Sequence, residues 1–197
     1  MAELCNRLTR NITTRKCLPS GGIKTRAWIG QVDDRTGAYT FKANGALSSF
    51  ALAVGAKFIT AKGRPKKGSG ASALTKPEDG GLSNEQTVII EVAYGSQHEA
   101  DALVDLLKAE NKFVLLETNA GTIRGYFWEF GDVSAAAEEG TGTLLTDANG
   151  VLKITLKGQE TGLPIFFEAV NADTTITQLQ ASIDYLDSLV TGAEVVD

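Results

Sequence analysis

The sequence predicts a mainly β fold of the α+β kind: an antiparallel β-sandwich or half-barrel with a flanking α-helix, a long loop and a C-terminal helix. Three observations predict it. Short runs rich in β-branched and aromatic residues recur along the chain, separated by turns containing Gly, Asp and Asn. Helical spacing of apolar residues is confined to 96–111 and 173–190. Residues 61–85 hold five glycines and two prolines with almost no apolar periodicity, which reads as a loop too long to be a plain connection.

Residues 1–25 are basic and irregular, punctuated by Pro19-Ser20-Gly21-Gly22, and read as an extended arm. Arg26–Val32 and Ala38–Lys42 are strand-like runs around Asp33-Asp34-Arg35-Thr36-Gly37, a pattern that predicts a hairpin. Phe50–Thr60 is one apolar run with Gly55 in its middle, where a bulge or close backbone approach is expected. The loop 61–85 opens with a basic head, Lys62, Arg64, Lys66 and Lys67. Thr87–Tyr94 is short and β-branched, which predicts a buried strand.

The helix at Ser96–Asn111 has the sharpest local signature. Ser96 and Glu99 fit a capping box, Ala100, Leu103, Leu106 and Leu107 form one stripe opposite Asp101, Asp105, Lys108 and Glu110, and Asn111 suits a left-handed stop. Phe113–Glu117 and Ile123–Phe130 flank Thr118-Asn119-Ala120-Gly121 as a second hairpin. Thr141–Thr146 and Val151–Lys157 flank Asp147-Ala148-Asn149-Gly150 as a third, with Leu152, Ile154 and Leu156 on the inward face. Ile165–Val170 is a closing strand. Ile176, Leu179, Ile183, Leu186 and Val190 form a narrow helical seam, capped near Asp173 or Thr174. The organisation is an arm over 1–25, a β body over 26–170 containing the loop, and a helical extension over 171–197.

Charge is sorted along the chain. Residues 1–70 carry 13 Lys and Arg against three acids, a net of +10, and residues 71–197 carry 6 against 21, a net of −15. Unless folding brings the halves together, this segregation suits either a polyanion such as nucleic acid or the opposite face of another copy. No chemistry accompanies it. His98 is the single histidine and sits in the first turn of the helix, where a surface structural role is expected. Gly63-x4-Gly68 lacks the lysine of a phosphate loop, since Ser69 stands there. Asp33-Asp34 and Glu138-Glu139 read as solvated pairs, and Tyr126, Phe127 and Trp128 as core or contact surface. No catalytic residue, cofactor or metal is expected. Met1-Ala-Glu-Leu-Cys lacks signal-peptide regions and no run is long enough to span a membrane, so synthesis in the cytoplasm and reduced Cys5 and Cys17 are expected.

The order of elements, with Cys5, Cys17, Gly21-Gly22-Ile23, Asp33-Asp34, the Asn-x-Gly turn at 119–121, Gly142-Thr143, Asp147-x-Asn149-Gly150 leading into Val-Leu-Lys-Ile-Thr-Leu-Lys-Gly-Gln-Glu, and Pro164, resembles the tail tube proteins of tailed bacteriophages and related contractile injection machines. The late block is similar to forms in phages of Bacteroidetes, and the resemblance equally indicates a tube-like ring or adaptor protein of the head–tail junction. The terminal helix lies outside it. The resemblance implies a virion structural protein, made in the host cytoplasm and placed in the tail, that forms rings of six stacking into a tube. It implies as partners further copies, neighbouring tail or head–tail junction proteins, and DNA that passes through the lumen without specific binding. The loop 61–85 then reaches a neighbouring subunit, and Arg7, Arg10, Arg15, Lys16, Lys62, Arg64, Lys66 and Lys67 are the expected subunit contacts. The alternatives are a nucleic-acid-binding protein using the basic residues 1–70, and a small enzyme without a recognisable motif.

Overall fold

The computed structural model describes residues 23–62, 68–76, 81–93, 97–140 and 151–191. The fold is mainly β, with eleven strands in two sheets and two helices among these residues. The strands are β1 (Ile23–Gln31), β2 (Arg35–Phe41), β3 (Leu47–Leu52), β4 (Ile59–Lys62), β5 (Ser69–Thr75), β6 (Ser83–Ala93), β7 (Lys112–Thr118), β8 (Ile123–Tyr126), β9 (Val133–Gly140), β10 (Val151–Glu160) and β11 (Ile165–Phe167). Helix α1 spans Gln97–Lys108 and α2 spans Gln178–Thr191.

Seven strands form one sheet in the order β2-β3-β11-β8-β7-β1-β4, and four form the other in the order β5-β6-β10-β9. Four strands therefore separate β1 from β2, although only residues 32–34 connect them. In a flat sheet five interstrand steps span about 24 Å, whereas the four backbone steps from Gln31 to Arg35 reach at most about 14 Å. The larger sheet must curl into a half-barrel. Phe50 of β3 and Phe58 just before β4 accordingly lie 5.8 Å apart, though their strands are second and seventh in the sheet. The expected hairpin at 26–42 is thus a corner: β1 pairs with β7 and β4, and β2 pairs with β3. Val32 N–H donates to the Asn111 carbonyl at 2.7 Å, and Asn111 takes the left-handed φ of 49° that its place after the helix suggested.

The larger sheet is buried on both sides because its central strands are apolar at successive positions. Phe113 and Leu115 of β7 face the concave side with Trp28, Phe50, Phe58 and Phe167, while Val114 and Leu116 face the smaller sheet with Ala27, Ile29, Val88, Ile90, Ile154 and Leu156. Helix α1 adds Leu106 fully and Leu103 and Leu107 partly to the second cluster, leaving Asp101, Asp105 and Glu110 in solvent as its stripe predicts. Helix α2 fills the concave side through Ile183 and Leu186. Its N-cap is Thr177, whose Oγ1 accepts from Gln180 N–H at 3.1 Å, three or four residues later than the cap near Asp173 or Thr174 that the sequence suggested. Asp173 instead closes a local turn on Thr175, whose two hydrogen bonds hold its carboxyl below the ordinary range.

Two other expectations change. The run at 50–60 is two strands, because Gly55, at a φ of 87°, turns the chain between β3 and β4. The stretch 61–85 is not a structureless loop: β5 and the start of β6 lie within it and pair from Ser69↔Ile89 to Thr75↔Ser83. Strand β10 has the expected inward Ile154 and Leu156, but its described partners are β6 and β9; the expected strand 141–146 lies outside the described residues.

Candidate subunit interface

The four-stranded sheet presents a face and two edges. Its strands alternate, with Val88, Ile90, Ile154 and Leu156 turned to the core, so the opposite parity faces outward. Register places Ser69, Ile89, Thr155 and Ala136 in one outward row, and Ala71, Thr87, Lys157 and Ser134 in the next. Ala73, Glu85 and Gln159 continue it on one side, Glu91 and Lys153 on the other. The face is small and polar, and by register its outward positions hold two lysines, Lys153 and Lys157, against three glutamates, Glu85, Glu91 and Glu138. No described element covers it.

Strand β5 is an edge of this sheet, paired on one side to β6, and every residue except Gly70 is exposed. Its sequence, Ser-Gly-Ala-Ser-Ala-Leu-Thr, has no charge and no proline, the usual devices that stop an edge from recruiting another strand. Gly70 explains how β5 docks: a Cβ there would lie 2.6 Å from the Tyr126 ring, so only glycine lets the strand close over the core. Strand β9, with Ala135, Ala136 and Ala137, is the other edge.

A buried polar hub anchors this sheet to the larger one. The segment after β8 crosses between sheets with Phe127 at a φ of 57°, a costly conformation for a buried aromatic residue. Three side chains hold it. Gln86 Oε1 accepts from Phe127 N–H at 2.8 Å, Glu160 accepts from Glu129 and Phe130 N–H at 3.1 and 3.2 Å, and Arg35 Nη1 donates to the Trp128 carbonyl at 2.6 Å. Asn84 and Gln86 also donate to the Gly162 carbonyl in the second crossing. Burial raises the Glu160 carboxyl above its ordinary range, an effect opposed by the N–H groups of 129–131. Arg35 sits over Trp128, Phe113 and Tyr39 with its carbon 4.3, 5.1 and 5.5 Å from the ring centroids, and burial pulls its pKa down.

Arg7, Arg10, Arg15, Lys16, Arg64, Lys66 and Lys67 lie outside the described residues, as do the Ser96 cap and the Glu99 side chain. Lys62 ends β4, its backbone opposite Arg26. The rest of the basic block is largely consumed inside the fold. Lys24 pairs with Glu117 at 2.7 Å, Arg26 with Asp187 at 3.1 Å and Lys42 with Glu168 at 3.7 Å, each across the charge boundary in sequence. Arg35 joins the hub. Sequence reasoning missed Arg35, Gln86 and Glu160 because their partners are distant in the chain; an isolated Arg beside strand aromatics was the only available sign. Among the described residues no group of His, Cys, Asp and Glu could hold a metal ion, and no helix is long and apolar enough to cross a membrane. Comparison of the chain with family models, with curated proteins and with solved structures found no match.

Proposed function

We propose that this protein is a structural subunit that joins copies of itself edge to edge into rings, and that the rings stack into a conduit of the phage tail tube type. The observation that carries the reading is the uncharged open edge β5 on an antiparallel sheet of four strands. Strand number matters here. With four alternating strands, β5 and β9 run in opposite directions, so β5 of one copy laid on β9 of the next continues the antiparallel ladder without a break. That contact is heterologous and closes into a ring if the rotation per subunit allows. The sheet's inward face is taken by the core, leaving the small, weakly acidic outer face to line the ring, a surface with little attraction for phosphate. The basic residues Arg7, Arg10, Arg15, Lys16, Lys62, Arg64, Lys66 and Lys67 are assigned to contacts with the acidic surface of a neighbour, and DNA to passage through the lumen.

The test is assembly of the purified chain, followed by sedimentation and negative-stain microscopy, beside a variant carrying Ala71→Lys and Ala73→Lys on exposed positions of β5. Rings or tubes from the natural chain and folded monomers from the variant are expected. A natural chain that stays monomeric at all salts and high concentration refutes self-assembly; if that monomer binds duplex DNA with steep salt dependence, a nucleic-acid-binding role replaces it.

A further inference from the structure

We propose that Asn44 is a deamidation site that the fold holds in check, with Glu168 as the positioning residue. Asn44-Gly45 lies in the exposed turn between β2 and β3. Gly45 has a φ of 82° with nothing within 4 Å of where a Cβ would stand, so no side chain hinders reaction there. In an unrestrained Asn-Gly pair the glycine backbone nitrogen, after losing its proton to water, attacks the asparagine Cγ. The new N–C bond forms as the Cγ–Nδ2 bond breaks, and ammonia leaves with protons from water. Water then opens the succinimide at either carbonyl, giving aspartate or isoaspartate. The net exchange is one water for one ammonia, with no oxidant or reductant.

Each group in this reaction is already engaged. Gly45 N–H donates to the Lys42 carbonyl at 2.8 Å, which keeps its proton from water. The Asn44 carboxamide is pinned at both ends: Oδ1 accepts from Ala46 N–H at 3.0 Å, and Nδ2 donates to Glu168 Oε2 at 3.2 Å. Glu168 is itself fixed, its N–H donating to the Leu47 carbonyl at 2.8 Å and its carboxylate facing Lys42 Nζ at 3.7 Å. The amide cannot swing its carbon over the glycine nitrogen until this corner opens. The reaction rate therefore reports opening of the β2–β3 turn on the edge of the larger sheet.

The experiment incubates the full-length chain at neutral pH, folded and in urea, and follows the amide-to-acid mass gain and isoaspartate by peptide mapping. Asn149-Gly150 in the same digest gives the intrinsic Asn-Gly rate in urea. Deamidation of Asn44 should be at least about tenfold slower folded than unfolded, meaning a reactive population below about one in ten. Glu168→Ala should accelerate it in the folded chain, and Glu168→Gln, whose carbonyl still accepts from Nδ2, should restore most of the protection. Both variants are checked for folding by thermal melt. Equal rates folded and in urea would overturn the proposal, and an unchanged rate in folded Glu168→Ala would overturn the role of Glu168.

Discussion

Replacing Asp187 separates two ways in which α2 is held. One carboxylate oxygen accepts from Trp28 Nε1 at 2.8 Å and the other from Arg26 Nη1 at 3.1 Å. Trp28 is fully buried, so in Asp187→Ala its indole N–H loses its partner beneath the helix, at a cost of roughly 1–3 kcal/mol. The ion pair contributes less. Its side chains are 34% and 47% exposed, and pairs in such settings contribute about 0–1 kcal/mol. Asp187→Asn keeps an acceptor for the indole and removes only the charge, so it should cost no more than about 1 kcal/mol. Urea unfolding of the natural chain, both variants and Arg26→Ala gives the two contributions. If Asp187→Asn is as damaging as Asp187→Ala, the ion pair dominates and the reasoning fails; if neither variant shifts the midpoint, α2 does not dock on β1 as described.

Three further outcomes are expected. Phe113 is fully buried beside Phe50, Phe58 and Trp128, so Phe113→Ala should cost about 3–5 kcal/mol, whereas Val104→Ala on the exposed side of α1 should stay within about 0.5 kcal/mol, by the same unfolding assay. Because burial raises Glu160, its contribution to stability is fully present below the unfolded carboxyl pKa and is lost as pH rises through the higher folded value. The difference in stability between the natural chain and Glu160→Gln should therefore shift toward the variant across that mildly acidic window; a difference flat in pH, or of opposite slope, contradicts the assignment. Gly70→Ala forces the Tyr126 ring to move and should cost about 1–3 kcal/mol, with amide exchange quickening first in β5; unchanged protection there would mean that β5 does not rest on that ring.

Elements specified by neighbours in sequence were legible. The apolar stripe of α1, the turn at 118–121 and the alternation of β10 each depend on residues within a few positions, and each appears as expected. What depends on distant partners was not. Asp33-Asp34-Arg35 looks the same whether the strands beside it pair or part, and only the curl of the sheet decides. Strand β5 has no apolar pattern because its ladder with β6 and its close approach to Tyr126 favour small residues, which a reading by hydrophobic periodicity passes over. The charge sorting was visible, but its partial cancellation through Lys24, Arg26 and Lys42 was not, since each pair joins the basic block to a distant residue of the acidic one. The uncharged edge of the candidate interface could be recognised only once β5 was known to be a strand.

The docking of α2 against β1 also bears on how the chain is made. Arg26 and Trp28 emerge from the ribosome well before Asp187, whose carboxylate completes them from 161 and 159 residues further on. Strand β1 likewise waits for β7, about half a chain later, before its central ladder can form. Contacts of such long range slow folding and leave little for the first half of the polypeptide to fold onto by itself. During synthesis the basic half is therefore exposed and uncompensated until the acidic half appears, so a chain released before α2 should stay soluble only with help from chaperones. The concave side of the half-barrel thus closes only after α2 has been made, since Ile183 and Leu186 complete its apolar cluster.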